Sequence, residues 1–228
     1  MKQDNIISKT LASIKGLDQR PSQVDLIPRL SAYIADWFFG NLFVMAGPFV
    51  MFSLMTAKEA SYKNLYSFPA YGLAETWSYL SFILALIFYS LYFVFIPYKV
   101  WPGQTLGKKM TKLKIVEAED YETTSWQALL MRHLVGFVVV EGAAFTMGQY
   151  LQETLSLMTG FYTENYLGTA GLILAMVSLI LVIFTRSGRA LHDYMANTRV
   201  IKIEGEEPVK KLIRDQRRRN HQLRHLKK

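Results

Sequence analysis

Five ionisable residues stand in or beside the long apolar stretches of this 228-residue chain: Arg29, Asp36, Arg132, Glu141 and Asp193. A charge in such surroundings is costly, and where one is present it is a candidate for ion or proton handling. Arg29 and Asp36 are seven residues apart, so on a helix they share a face. Their rise separation of about 10 Å is too long for direct contact, and each needs a partner on another segment. Asp36 is the candidate cation or proton carrier, with Arg29, Arg132 and Asp193 as pairing groups. Arg132 lies about 9 Å along a helix counted from Trp126, close enough to snorkel to an interface. Glu141 lies about 22 Å along, past the midplane. An acid at that depth costs on the order of 2–3 kcal/mol unless protonated or paired, which makes it a candidate for proton coupling. Nine residues are about two and a half turns of a regular helix, so Arg132 and Glu141 face opposite ways unless Gly136 and Gly142 let the helix bend. His133 is expected at an interface, not as a ligand.

Other motifs carry less chemistry. The run Gly103-Gln104-Thr105-Leu106-Gly107-Lys108-Lys109 fails as a P-loop. It is one residue short, and Lys109 stands where a magnesium-binding Ser or Thr belongs. A tight turn with lysines near lipid headgroups is the expectation. Arg189-Ala190-Leu191-His192-Asp193 offers no nucleophile, and Asp193 is expected to pair with an arginine, Arg29 being the candidate. Gly47-Pro48 interrupts the first apolar stretch and reads as packing ahead of an ion-coordinating kink. With zero cysteines, no disulfide, thiolate nucleophile or Cys-ligated metal is available. No catalytic set, metal site or cofactor motif emerges, so the chain is not expected to be an enzyme.

These residues must be positioned by membrane-length elements. Trp37 to Ala57, Thr76 to Tyr98 and Asn165 to Thr185 carry no charged side chain, and a bilayer core of about 30 Å needs roughly 20 such residues. A fourth apolar stretch, Ser125 to Leu151, is interrupted by Arg132, His133 and Glu141. Spans are placed at about 34–57, 76–98, 126–151 and 165–185. Lys and Arg number five in 1–30, two in 57–75, five in 99–124, none in 152–164 and thirteen from Arg186 onward. That alternation fits four spans with both termini cytoplasmic. Lys112 to Glu117 and Thr198 to Glu204 alternate polar and apolar residues, predicting two short strands that pair as a ribbon.

The net charge of +8 sits entirely in the tail, where residues 208–228 hold nine Lys/Arg against Asp215. Lys210, Lys211, Arg217, Arg218 and Arg219 are expected to meet anionic headgroups. The tail has no aromatic residue for base stacking, so nucleic acid is not an expected partner.

Taken in order, several of these pieces resemble the RDD family of small bacterial membrane proteins, named for an Arg and two Asp residues. They are Arg29 to Asp36, Gly103 to Lys109 with Leu113-Lys114-Ile115-Val116, Arg132, Arg189 to Asp193, and Asn197-Thr198-Arg199-Val200. The resemblance makes Arg29, Asp36 and Asp193 the name-giving residues, and implies a bacterial cytoplasmic membrane protein. Some members are associated with sodium–proton exchange. Glu141 and the tail are not assigned to the family pattern.

The expected architecture is therefore an all-α, multi-pass integral membrane protein of four transmembrane helices, with a small cytoplasmic β-ribbon and a basic C-terminal tail. Its parts are a cytoplasmic segment 1–26, a transmembrane domain 27–203 and a tail 204–228. The expected function is small-ion transport, which with four spans implies a homo-oligomer. The alternative is a non-transporting membrane adaptor or regulatory subunit that docks a protein partner through ribbon and tail.

Overall fold

The computed structural model describes residues 22, 24–57, 61–142 and 145–205. Lys210, Lys211, Arg217, Arg218 and Arg219 lie outside the described residues, as does nearly all of 1–23.

Helix α1 (Leu26–Met55) starts well before the expected position 34. Pro28 falls in its first turn, where backbone N–H groups have no helical partner to lose. The helix continues through Gly47 and Pro48, both buried. A Cβ on Gly47 would stand 2.7 Å from Leu84 Cγ, so this glycine lets the next helix approach. That helix, α2 (Thr76–Ser90), widens into i→i+5 winding over Leu91–Val100. Together the two pieces make a 25-residue apolar rod. Val44, Phe52, Ala85, Tyr89, Tyr92 and Phe93 form its core with α1, reinforced by Phe68 at the single turn Ser67–Ala70.

A short helix α3 (Leu106–Met110) leads into strand β1 (Leu113–Glu117). Helix α4 (Trp126–Leu130), capped by the Ser125 side chain, continues as π-wound turns over Met131–Val140. Here the expected stretch 126–151 is not one continuous helix. The helix stops at Glu141, whose backbone leaves helical geometry (φ −100°, ψ 19°), and a new helix α5 (Thr146–Thr159) begins. The break is a backbone-to-backbone contact: a Cβ on Gly148 would lie 2.0 Å from Gly142 O. Only two glycines permit it.

Helix α6 (Glu164–Phe184) is the third membrane-length helix, followed by α7 (Leu191–Met195) and strand β2 (Thr198–Lys202). By length and composition α1, the α2 rod and α6 can each cross a bilayer. Only 11% of the most apolar window of α6 is buried, so most of its surface is left for lipid or protein.

The ribbon forms as expected. Strands β1 and β2 pair antiparallel from Leu113↔Lys202 to Glu117↔Thr198, with Ile115 opposite Val200. Both faces of the small sheet are covered: Leu113 and Val200 pack with Val24 and Ala32, and on the other side Val116 and Ile201 pack with Tyr121. Gly103 (φ +75°) seats the preceding turn against it: Ile115 N–H donates to Gly103 O at 2.7 Å, and a Cβ there would clash with Ile115 O.

Candidate functional site

Asp36 is held by a complete set of donors. Its carboxylate accepts from Tyr92 OH (3.1 Å), Thr105 Oγ1 (2.6 Å), the Gly107 N–H (2.8 Å) and Lys108 Nζ (2.9 Å). Asp36 is 3% exposed, and a Cβ on Gly107 would stand 2.4 Å from Ala32 O. The Gly103–Lys109 run is thus a receptor for one carboxylate. For Lys108 this corrects the expectation of a headgroup contact: it turns inward because a buried Asp needs a counter-charge. The shared face with Arg29 does not join the two residues, which have no hydrogen-bond partner in common among the described residues.

Asp193 pairs with Arg132, not with Arg29. Arg132 Nη1 donates to Asp193 Oδ1 and to Thr198 Oγ1 (2.9 Å), and both charged residues are buried. Asp193 Oδ2 accepts from the Ala190 N–H (3.0 Å), closing the start of α7. Burial would push this carboxyl up, but the Arg132 charge, with His192, Arg29 and the Ala190 N–H behind it, holds it well below the usual carboxylate range. Arg132 therefore does not snorkel. Arg189 ties the same corner to the ribbon, donating to Thr198 O and Asp193 O, each at 2.9 Å.

Arg29 reaches the loop before α7, donating to Gly188 O and to Val200 O (3.3 Å) of β2. It makes no ion pair with a carboxylate among the described residues.

Glu141 meets His192. Nδ1 of the imidazole lies 3.0 and 3.2 Å from the two carboxylate oxygens, and the His192 N–H donates to Oε1 at 3.3 Å. Both residues are buried, beside the Phe137 ring at 4.2 Å from the imidazole. The expectation that Arg132 and Glu141 face apart rests on regular winding. With i→i+5 bonding, nine residues are close to two whole turns, and both side chains meet α7. Gly136 makes room: a Cβ there would lie 2.5 Å from His192 Cβ.

His133 is also corrected. It is 1% exposed, stacked on Phe137 (12° between rings) and near Phe93, with neither ring nitrogen hydrogen-bonded.

Arg29, Asp36, Lys108, Arg132, His133, Glu141, His192 and Asp193 all line one cavity of about 380 Å³. Most of its remaining wall is apolar, with Leu26, Leu30 and Tyr33 from α1 and Met176, Leu179 and Val182 from α6. All five sequence-selected residues converge on it from α1, the π turns and α7. Sequence reasoning missed Lys108, Tyr92, Thr105 and Arg189, and gave His192 no role. Gly107 beside a lysine, and Gly136 between Arg132 and Glu141, were the usable signals of close approach.

The sequence model of the RDD family matches residues 24–197, most of the chain. The chain belongs to the RDD family. The match reaches from the segment before α1 to the residue before β2, so the entire charge cluster except its Thr198 end falls within the RDD region. Neither the curated proteins nor the solved structures contain a match. Of the name-giving RDD residues, Asp36 and Asp193 anchor separate ion pairs, and Arg29 binds backbone carbonyls in the wall of the shared cavity.

Proposed function

We propose that this chain is a four-span protein of the bacterial cytoplasmic membrane, both termini cytoplasmic, that moves a small cation in exchange for protons. The carrying observation is the Glu141–His192 contact, a buried carboxylate and imidazole on the wall of the cavity, with no arginine or lysine among the described residues forming an ion pair with the acid. Such a pair can hold one or two protons, and its loaded and unloaded states differ by a full charge. A cation can take the place of the second proton. Asp36, the expected carrier, already accepts from four donors, one of them a lysine, so its role in this reading is structural. Arg132 and Asp193 position α7, and through it His192. The fourth crossing in this reading is the broken stretch of the π turns and α5. A half-helix end facing a cavity is a known way to build an ion site. The exposed side of α6 turned away from the cavity, with Leu172, Ile173 and Ile180, is the surface for a homo-oligomeric contact.

Flux in proteoliposomes tests it. Purified protein with a trapped pH dye should show proton movement driven by a sodium or potassium gradient, and Glu141→Gln should abolish it. Lys210, Lys211, Arg217, Arg218 and Arg219 can be replaced together without loss of flux, since their proposed role is contact with anionic headgroups. Absence of flux under either gradient would overturn the transport reading and leave partner docking as the function to pursue.

A further inference from the structure

The cavity that holds the charge cluster is also a cleft with a membrane-facing mouth. Its walls are two membrane-length helices, α1 and α6, and its rim residues are strongly exposed: Leu30 at 49%, Leu179 at 52% and Met176 at 59%. On helices of that length such exposure faces the bilayer. Anything entering between them passes apolar side chains first and reaches charge last.

The charge it reaches has an unused sign. Asp36, Asp193 and Glu141 all accept hydrogen bonds from protein groups. Among the described residues, the buried polar atoms left without a partner in this wall are nitrogens: Arg29 Nε, Arg132 Nε and both ring nitrogens of His133. Arg132 and His133 are more than nine-tenths buried. Buried polar atoms are rarely left unpaired, and a cluster of them in one wall calls for a group to satisfy them. The arginine nitrogens only donate, so that group must be rich in acceptor oxygens. Arg29 adds a guanidinium whose hydrogen bonds among the described residues go to neutral carbonyls.

We infer that the cleft between α1 and α6 binds a single-chain amphiphile from the bilayer, its anionic oxygen head drawn to Arg29, Arg132 and His133 and its acyl chain lying between Leu30 and Met176. The volume of about 380 Å³ falls in the ordinary range for small-ligand sites. The proposal does not depend on ion transport, and its experiment reads binding alone.

Full-length protein in a non-ionic detergent is incubated with a palmitate analogue carrying a diazirine near the chain end, then irradiated and peptide-mapped. Adducts are expected within 26–33 and 176–182, displaced by palmitate but not by hexadecanol or inorganic phosphate. Arg29→Gln should weaken binding by about tenfold or more, the scale for losing a hydrogen bond to a charged group. Because Arg29 also holds backbone carbonyls, Met176→Trp serves as the second variant. It sits on the exposed side of α6 and should block the mouth, removing displaceable labelling while the protein elutes as before from a sizing column. Equal displacement by hexadecanol would overturn recognition of the anionic head. Displacement by phosphate alone would reassign the site to a free anion. Labelling spread over Ile173 and Ile180, without displacement, would mean an ordinary lipid coat and no site.

Discussion

Asp193 gathers an arginine, a threonine hydroxyl and the N–H at the start of its own helix onto one buried carboxylate. Asp193→Asn leaves Arg132 buried without its counter-charge, and breaking such a pair costs about 3–5 kcal/mol. The expected outcome is a clear fall in Tm in detergent, measured by tryptophan fluorescence. The same carboxyl sets a pH dependence. Its folded pKa lies below the ordinary 3.8, so near and below that pH the unfolded chain binds the extra proton. The stabilisation is complete above pH 3.8 and declines as pH falls further; an acid limb that survives Asp193→Asn unchanged would count against this. Asp36 and Lys108 test the structural role of the second pair. In a double-mutant cycle with Asp36→Asn and Lys108→Met, the two losses should overlap by about 0.5–3 kcal/mol, the range for residues in one ion pair.

At the scale of elements, glycines decide where segments may touch. Gly148→Ala puts a methyl 2.0 Å from Gly142 O, a backbone atom that cannot rotate away. Overpacking of this kind costs about 1–3 kcal/mol, and a lower Tm is expected. Gly168→Ala is the contrast: its nearest neighbour would be Gln152 Oε1 at 3.5 Å, and the helix gains up to about 1 kcal/mol in propensity. Its Tm should hold or rise. The apolar stretches at 37–57, 76–98 and 165–185 were legible as helices because uncharged length alone specifies them. The ribbon was legible from alternation over 112–117 and 198–204, since a period of two is the strand's own alternation of side chains between faces, although the structure covers both faces. The π winding at Met131–Val140 was not, because residue types there suit a regular helix equally well. That winding, which no periodicity reveals, is what puts Arg132 and Glu141 on one side. Lys108 as the partner of Asp36 was hidden for a related reason: a lysine beside an interface reads as solvated until tertiary contacts enclose it.

For the whole molecule, the decisive question is whether the broken stretch from Trp126 to Thr159 crosses the membrane. A chain without cysteine answers it cleanly, since single cysteines can be introduced against no background. Glu119→Cys and Tyr162→Cys both sit at exposed positions, on either side of the stretch. With four spans, an impermeant maleimide applied to intact cells labels the cysteine at 162 and spares the one at 119. Equal labelling of both would mean that the stretch enters and returns without crossing. The paired groups lie far apart along the chain. Asp36 and Lys108 are separated by 72 positions, Arg132 and Asp193 by 61, Glu141 and His192 by 51, and Arg29 and Gly188 by 159. At about 5–20 residues per second of synthesis, Arg29 waits on the order of ten seconds for the carbonyls that receive it. During that interval Lys108 comes to answer Asp36, while the carbonyls of Gly188 and Val200 that receive Arg29 are still to be made. Of these partners, the segment from 188 to 200 is made after the others, and its emergence supplies the groups that Arg29, Arg132 and Glu141 contact.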